Sequence, residues 1–484
     1  MSLYKSLFKQ TLIYGLATVL PRMLSFLLNP LYTKVLPKQE FADVSIVFAY
    51  LVFFNVVLSY GMETAFFRFY NLENNKNKVI STTTISIFWS TMIFLITSLL
   101  FRNSISVWTN IDINYITYTL WILFFDALVI IPFSKLRAEK KPLKYAFLKI
   151  GNVSLNMLLN LFFLLLLPEL AQNPNSFFST IYFDNFQVGY IFVSNLIASL
   201  ITFLVLSSNY FKVKWQFDFN LWKRMMVYGL PVLIAGIGFA INEHFDKILL
   251  DWMSVSKQDI GAYSACYKIG MFMVLFRTAY TMGVEPFFFS HADKENAPQT
   301  YAMVTKYFII TGSFILLFVI VFIDFLKIFL VPNPNYWDAM KVVPLIVLAN
   351  FFLGIYTNLS VWYKIIDKTK IGAYISLFGA FLTLLLNYLL IGKYSYYGSA
   401  IATLAAYGSM MFISYKLGQK KYPIPYEINK IATYLGISIL LSALSFYVPI
   451  LHKSYIFGIF ALLIFGYFIY KNEKQIIFKI LKLK

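Results

Sequence analysis

The sequence predicts an all-α polytopic membrane protein of about 14 transmembrane helices. Three observations carry that prediction. First, 59% of the 484 residues are apolar or aromatic and only 13% are charged, against roughly 25% charged in an ordinary soluble domain. Second, at about 20 apolar residues per span, this apolar content is enough for about 14 spans and leaves little for anything else. Third, the apolar residues form long runs bounded by charge, Pro or Asn clusters rather than alternating strand patterns. A disordered chain, a secreted disulfide scaffold and a soluble enzyme are thereby excluded.

Taken in order, the runs lie roughly at 10–35, 41–70, 79–101, 115–137, 143–167, 186–210, 224–250, 259–289, 300–325, 341–364, 371–391, 396–417, 428–450 and 454–471; they are numbered here as spans 1 to 14. Span 1 is expected to stay uncleaved, because no small-residue cleavage pattern follows its apolar stretch. Runs longer than about 25 residues are expected to tilt, kink or protrude. Pro21, Pro132, Pro231 and Pro344 fall inside spans 1, 4, 7 and 10, where each removes a backbone donor that neighbouring helices or a wet cavity must compensate. The single cysteine, Cys266, falls in span 8 and cannot form an internal disulfide or a multi-cysteine metal site. It is expected to be a small packing residue.

The net charge is +19. With the N-terminus inside, nine basic residues fall in outer loops and 29 in inner ones, which is a positive-inside bias. The strongest inner loop is Lys135–Lys144, KLRAEKKPLK. An even number of spans puts both termini in the cytoplasm. The longest outer loop, 168–185, has no Lys or Arg and is too short for a catalytic ectodomain. The surplus charge therefore speaks for membrane topology and against nucleic acid as a partner.

Three passages recur in the same order when spans 1–6 are laid on spans 7–12. Tyr14-Gly15-Leu16 matches Tyr228-Gly229-Leu230. Gly61–Phe67 (GMETAFF) matches Gly283–Phe289 (GVEPFFF), which pairs Glu63 with Glu285. Leu159-Asn160 followed by Gly189 matches Leu386-Asn387 followed by Gly398. Internal duplication predicts a lobe at 1–211, a second lobe at 212–425 and an extra hairpin with a basic tail at 426–484. Six spans per copy give both copies the same orientation and a symmetry axis along the membrane normal, an arrangement in which transporters bind substrate between halves.

Charges inside a membrane cost at least about 2.5–3.5 kcal/mol each, so they face a cavity or a partner. Arg22 in span 1 and Arg277 in span 8 are deep, and neither has an acid three or four residues away; both are candidate cavity residues. Lys268 is nine residues before Arg277, on the opposite face of a regular helix. It joins Arg277 only if span 8 bends, with Gly270 the nearest breaking point. Asp126 in span 4 and Glu243 in span 7 are candidates for ion coupling. Their ordinary alternatives are a buried partner for Arg22 and a helical ion pair with Lys247. Glu63 and Glu285, toward the inner ends of spans 2 and 8, either gate or fix helix ends against Arg68 and loop lysines. Asn152, Asn156 and Asn160 share one face of span 5. They either bond neighbouring helices or wall a cavity with amides for a sugar. No P-loop, dinucleotide turn, HExxH or acyl-transfer elbow is present, and His244, His291 and His452 are too scattered for a metal site. The residues point to no enzyme, no cofactor and no metal, with proton or sodium coupling left open.

The stretch from Asp246 to Gly270, DKILLDWMSVSKQDIGAYSACYKIG, resembles the connection between spans 7 and 8 of bacterial polysaccharide flippases, the Wzx-like members of the multidrug/oligosaccharidyl-lipid/polysaccharide exporter (MOP) superfamily. Asn358–Ser376 (NLSVWYKIIDKTKIGAYIS) and Leu386–Thr403 (LNYLLIGKYSYYGSAIAT) resemble the same group, although the usual proline after the apolar run is absent and Gly392 stands nearby. The likeness extends over essentially the whole chain. It implies a MATE-like fold of two six-helix bundles with two extra helices, seated in a bacterial inner membrane. It also implies that the chain moves an undecaprenyl-pyrophosphate-linked sugar unit for O-antigen, capsule or exopolysaccharide from the cytoplasmic to the outer leaflet by alternating access. Glycan polymerase machinery would be a partner, and the protein itself a monomer. Basic cavity residues hold the pyrophosphate in that family, a role that lands on Arg22 and Arg277 and would extend to Lys268. Guanidinium forks suit it because they pair bidentately with phosphate. Three other readings stand beside this one. A lipid II flippase is a near relative. A MATE-type drug exporter would want an acidic lumen, whereas span 1 has no acid. A membrane glycan polymerase or ligase would want a large charged outer loop.

Overall fold

The computed structural model describes the backbone of residues 3–481 except 212, 293 and 453, and the side chains of residues 13–474 with the same exceptions. Every span in the described residues is helical. "Inner" and "outer" below follow the Lys/Arg bias.

Spans 1 and 3 are the helices Leu3–Val35 and Lys76–Leu100. Span 2 is two helices, Lys38–Ser59 and Met62–Leu72, separated at Tyr60 and Gly61, both in the left-handed region. Span 4 is Ile113–Leu128 followed by Ile130–Ala138. Span 5 runs from Pro142 to Leu161 and continues to Leu170 through a wider π turn at Phe162–Leu166. Spans 6, 7 and 9 are Gln187–Leu206, Phe219–Trp252 and Ala297–Val321. Side-chain caps set several starts: Asn75, Asp112 and Asp218 accept backbone N–H bonds from Lys78, Asn114 and Leu221, supplying partners that a first helical turn lacks. Span 10 starts as a 3₁₀ segment, Pro334–Val342, before Val343–Leu359 and Val361–Ile365. Spans 13 and 14 are Ile428–Tyr447 and Tyr455–Leu481.

Spans 11 and 12 fall in one helical stretch, Lys370–Lys421, interrupted at Ser395 (φ 50°, ψ −140°). Ser399 Oγ donates to Asn387 Oδ1 at 2.6 Å. In a continuous helix, residues twelve apart would be about 18 Å apart along the axis, so the stretch is two helices folded back at Ser395. Eleven helices among the described residues are long and apolar enough to cross a membrane, with 370–421 counted once. The fold at Ser395, the helix Leu3–Val35 and the broken span 8 account for the remainder of the 14 expected.

Contacts group the chain into two compact units, residues 1–264 with 380–399 and residues 265–379 with 400–484. In the first unit, span 1 packs on span 5, span 2 on span 7, and span 6 on spans 4 and 5. Its inner end is cored by Met62, Phe66, Val79, Ile87 and Met225. In the second, span 9 packs on spans 10 and 13, the second half of span 8 packs on span 10, and span 14 packs on spans 9 and 13. Trp362, fully buried, donates its indole N–H to the Ser414 carbonyl at 3.1 Å.

Gly61 explains one word of the repeat. Its φ is +72°, and a Cβ there would lie 2.1 Å from the carbonyl oxygen of Gly229, itself part of a repeated word. Gly61→Ala therefore adds a left-handed penalty of roughly 1–2 kcal/mol to a clash with backbone that has no soft side chain to yield. A marked drop in melting temperature and in yield of monodisperse protein is expected. Wild-type behaviour of that variant would refute the close approach.

Candidate functional site

Arg277 lies in the second helix of span 8, Met271–Ser290, and is 7% exposed. It packs beside Gly354 of span 10, where a Cβ would sit in ordinary contact, 3.6 Å from Arg277 Cγ. Span 8 departs from a regular α-helix between Lys268 and Arg277. Span 8 is helical over Lys257–Tyr267, narrows to a 3₁₀ turn at Lys268–Gly270 and resumes at Met271. At Gly270 a Cβ would meet Ile346 Cγ2 at 2.7 Å, so the turn is tucked against span 10 where a larger residue would not fit. Lys268 is half-buried on that turn. Arg22, in the first unit, is exposed in the middle of span 1 with Leu16, Met23 and Leu27. Cys266 is buried and donates its S–H to the Tyr336 carbonyl at 3.2 Å.

The two glutamates matched by the repeat have matched partners. Arg137 Nη1 donates to Glu63 Oε1 at 2.9 Å, and Lys364 Nζ to Glu285 Oε1 at 2.6 Å. Arg137 ends span 4 and Lys364 ends span 10, which are themselves equivalent copies. A span-2-to-span-4 clasp in one unit thus has a counterpart in a span-8-to-span-10 clasp in the other. Arg68 lies over the Tyr228 ring, 4.4 Å from its centroid. The carboxylates are 47% and 41% exposed, where an ion pair is worth about 0–1 kcal/mol. Glu63→Gln is therefore expected to change stability by less than about 1 kcal/mol. If transport instead falls more than about tenfold in that stable variant, the glutamate gates rather than fixes a helix end.

Asp126 accepts from Ser199 Oγ of span 6 at 2.7 Å and from Asn55 of span 2. Lys149 of span 5 acts on it electrostatically while lying over Phe133 at 4.3 Å. In span 7, Lys247 Nζ donates to both oxygens of Asp246 at 2.9 and 3.0 Å, and Tyr263 donates to the same carboxylate at 2.7 Å, all buried. The Asp-basic pair that carried part of the resemblance is thus a real internal ion pair. Glu243 has His244 Nε2 at 3.9 Å.

Two of the three span-5 amides bond other helices. Asn152 donates to the Ala198 carbonyl and to Thr202 Oγ1 of span 6 at 3.0 and 2.9 Å. Asn160, fully buried, accepts from the Tyr32 hydroxyl of span 1 at 3.0 Å and donates to Asn156. These bonds fit the helix-joining role and leave Asn160 without a face for a sugar. Its repeat partner Asn387 is equally buried and also accepts a hydroxyl, that of Ser399. Lys149 escapes a reading by position, which puts it near the inner end of its span. A signal was nevertheless available, because 149, 152, 156 and 160 fall on one helical face. Among the described residues no group of three or more His, Cys, Asp or Glu could hold a metal ion.

The family described as "Polysaccharide biosynthesis protein" matches residues 7–291, more than half of the sequence. The chain belongs to that family. A second family, MatE, matches residues 231–389 of the chain, and the two place it in the MOP superfamily of membrane transporters. Among curated proteins none matches. Solved structures share its fold. One is "Lipid II flippase MurJ, inward closed conformation", with TM-score 0.73 and 16% identity, covering 95% of this chain and 99% of that one. Another is an inward-facing multidrug resistance MATE family transporter, at 0.65 and 14%, covering 86% and 98%. A third is a MOP superfamily transporter from Pyrococcus furiosus, whose binding pocket is described as of reverse polarity, at 0.60 and 14%, covering 85% and 95%.

Proposed function

We propose that this family member flips a polyprenyl-pyrophosphate-linked oligosaccharide, a repeat unit of O-antigen, capsule or exopolysaccharide, across the bacterial inner membrane. Both termini face the cytoplasm, the protein works as a monomer, and glycan polymerase machinery takes up its product. The observation that carries the reading is Arg277: a buried guanidinium in a membrane helix, just beyond a 3₁₀ turn that a regular helix would not have. Arg22 supplies a second guanidinium in span 1, where a cation exporter would want an acid. Each can pair bidentately with a phosphate, and a low-dielectric lumen strengthens that attraction until water enters from the other side.

The test is reconstitution in liposomes with a fluorescent lipid-linked oligosaccharide and a reagent that quenches only outward-facing label. Quenching of more than half of the label, dependent on protein, is expected. Export of cationic dyes without lipid flipping would replace this reading with a MATE-type exporter, and flipping of lipid II alone would assign the related substrate. Repeating the assay with imposed proton and sodium gradients decides whether Asp126 and Glu243 are served by an ion.

A further inference from the structure

The outer half of the first unit encloses a cavity of about 330 Å³ that none of the membrane charges uses. It lies among spans 2, 3, 4 and 7 and the short outer helix Arg102–Thr109. Its floor is buried, with Val47 at 2% and Leu123 at 1% exposed, whereas Trp108 and Trp252 at its mouth are 69% and 46% exposed. Those two rings lie 5.6 Å apart, as do Phe54 and Phe94 in the wall. No charged residue lines it. Four hydroxyls line it, those of Tyr50, Ser98, Thr109 and Thr119; Thr109 and Thr119 donate to the carbonyls of Ile105 and Tyr115, and Tyr50 accepts the indole N–H of Trp252. Outside the mouth, Lys257 bridges Asp43 and Asp251 at 3.0 and 2.9 Å. One lysine between two carboxylates offers no attraction to an anionic head group, so an occupant enters by its hydrocarbon end.

An empty space of this kind forfeits the dispersion contacts of its whole lining. Water finds little to bond there, and apolar cavities stay dry and take apolar guests. The volume is about twice the roughly 150 Å³ that accommodates one benzene, enough for two or three isoprene units. We infer that this cavity binds the isoprenoid tail of the lipid carrier, an inference that rests on the proposed flippase function. An isoprenoid carries a methyl branch on every unit and a fixed bend at every double bond, and its methyl groups pack on ring faces such as those of Phe54 and Phe94.

The test uses purified full-length protein in phosphatidylethanolamine nanodiscs and a photoreactive polyprenyl phosphate without sugar. Label is expected on peptides from residues 105–123 and to be displaced by unlabelled polyprenyl phosphate, but not by the same mole fraction of phosphatidylglycerol. Leu120→Trp, which fills the cavity, should lower labelling by at least about tenfold. Trp108→Ala, at an exposed position that does not threaten folding, should lower it about threefold. Equal displacement by phosphatidylglycerol would make this an ordinary lipid site and overturn the inference, as would labelling indifferent to both variants. The liposome assay separates the two claims. Flipping unchanged in Leu120→Trp removes the tail site and leaves the flippase standing. Displaceable label without any flipping removes the flippase and leaves an isoprenoid site.

Discussion

Replacing Arg22 and Arg277 together by glutamine is expected to lower flipping of the lipid-linked oligosaccharide by roughly 10²–10⁴-fold. A hydrogen bond to a charged group is worth about 1.5–3 kcal/mol, two arginines double that, and every 1.4 kcal/mol is tenfold. The lysine variants discriminate between charge and geometry. A lysine restores the charge but not the planar two-donor fork, so Arg277→Lys should recover part of the loss and Arg22→Lys likewise. Arg277 is buried and Arg22 exposed, so only Arg277→Gln carries a folding risk. Melting temperature and chromatographic profile must accompany its transport rate. Flipping that survives in a well-folded double variant would remove the pyrophosphate role from both residues.

The parts of the fold that a single dimension can carry were legible. Apolar run length marks a span because the bilayer has a fixed thickness, and the lysine bias marks orientation. The repeated words pointed further than their brevity suggested. Glu63 and Glu285 were matched by words sharing four residues, and they bond Arg137 at the end of span 4 and Lys364 at the end of span 10. The bend in span 8 was readable as a condition, because nine residues of regular helix would have placed Lys268 and Arg277 on opposite faces. The structure has a 3₁₀ turn at Lys268–Gly270.

What could not be read is what depends on partners distant in sequence. Asp126 gave no hint that Ser199, 73 residues later, would bond it. The amides of span 5 looked the same whether they met a sugar or Tyr32, 128 residues earlier. The outer cavity left no trace either, since its lining residues look like ordinary span residues until five helices enclose them. Basic composition divides along the same line. Most of the +19 follows the positive-inside bias, whereas the residues with chemistry to perform are the few that the fold takes into the membrane.

Lys306 shows how much such a residue can hold. Its ammonium, on a side chain 4% exposed in span 9, donates to Glu427 at 2.8 Å and to Glu473 of span 14 at 3.2 Å. Tyr434 of span 13 and Tyr307 also donate to Glu473, at 3.2 and 3.3 Å. Three helices that no short-range pattern connects are therefore tied at one point, 167 residues apart in sequence. Removing one member of such a pair strands the other, so Lys306→Met is expected to cost about 3–5 kcal/mol, seen as a lower melting temperature and faster proteolysis of the span 13–14 hairpin. Adding Glu473→Leu should restore most of the loss, because an apolar pair of similar volume replaces a buried ion pair at little cost. Salt should leave the effect nearly unchanged, since buried pairs are poorly screened. Bonds from Lys306 and Lys430 hold the Glu427 carboxyl below its usual range. Its share of the stability is thus complete above the unfolded carboxylate value near 4.5 and is lost as pH falls through the lower folded one. A single variant as stable as wild type, or a double variant no better than the single, would show that apolar packing on span 9 holds the hairpin without this cluster.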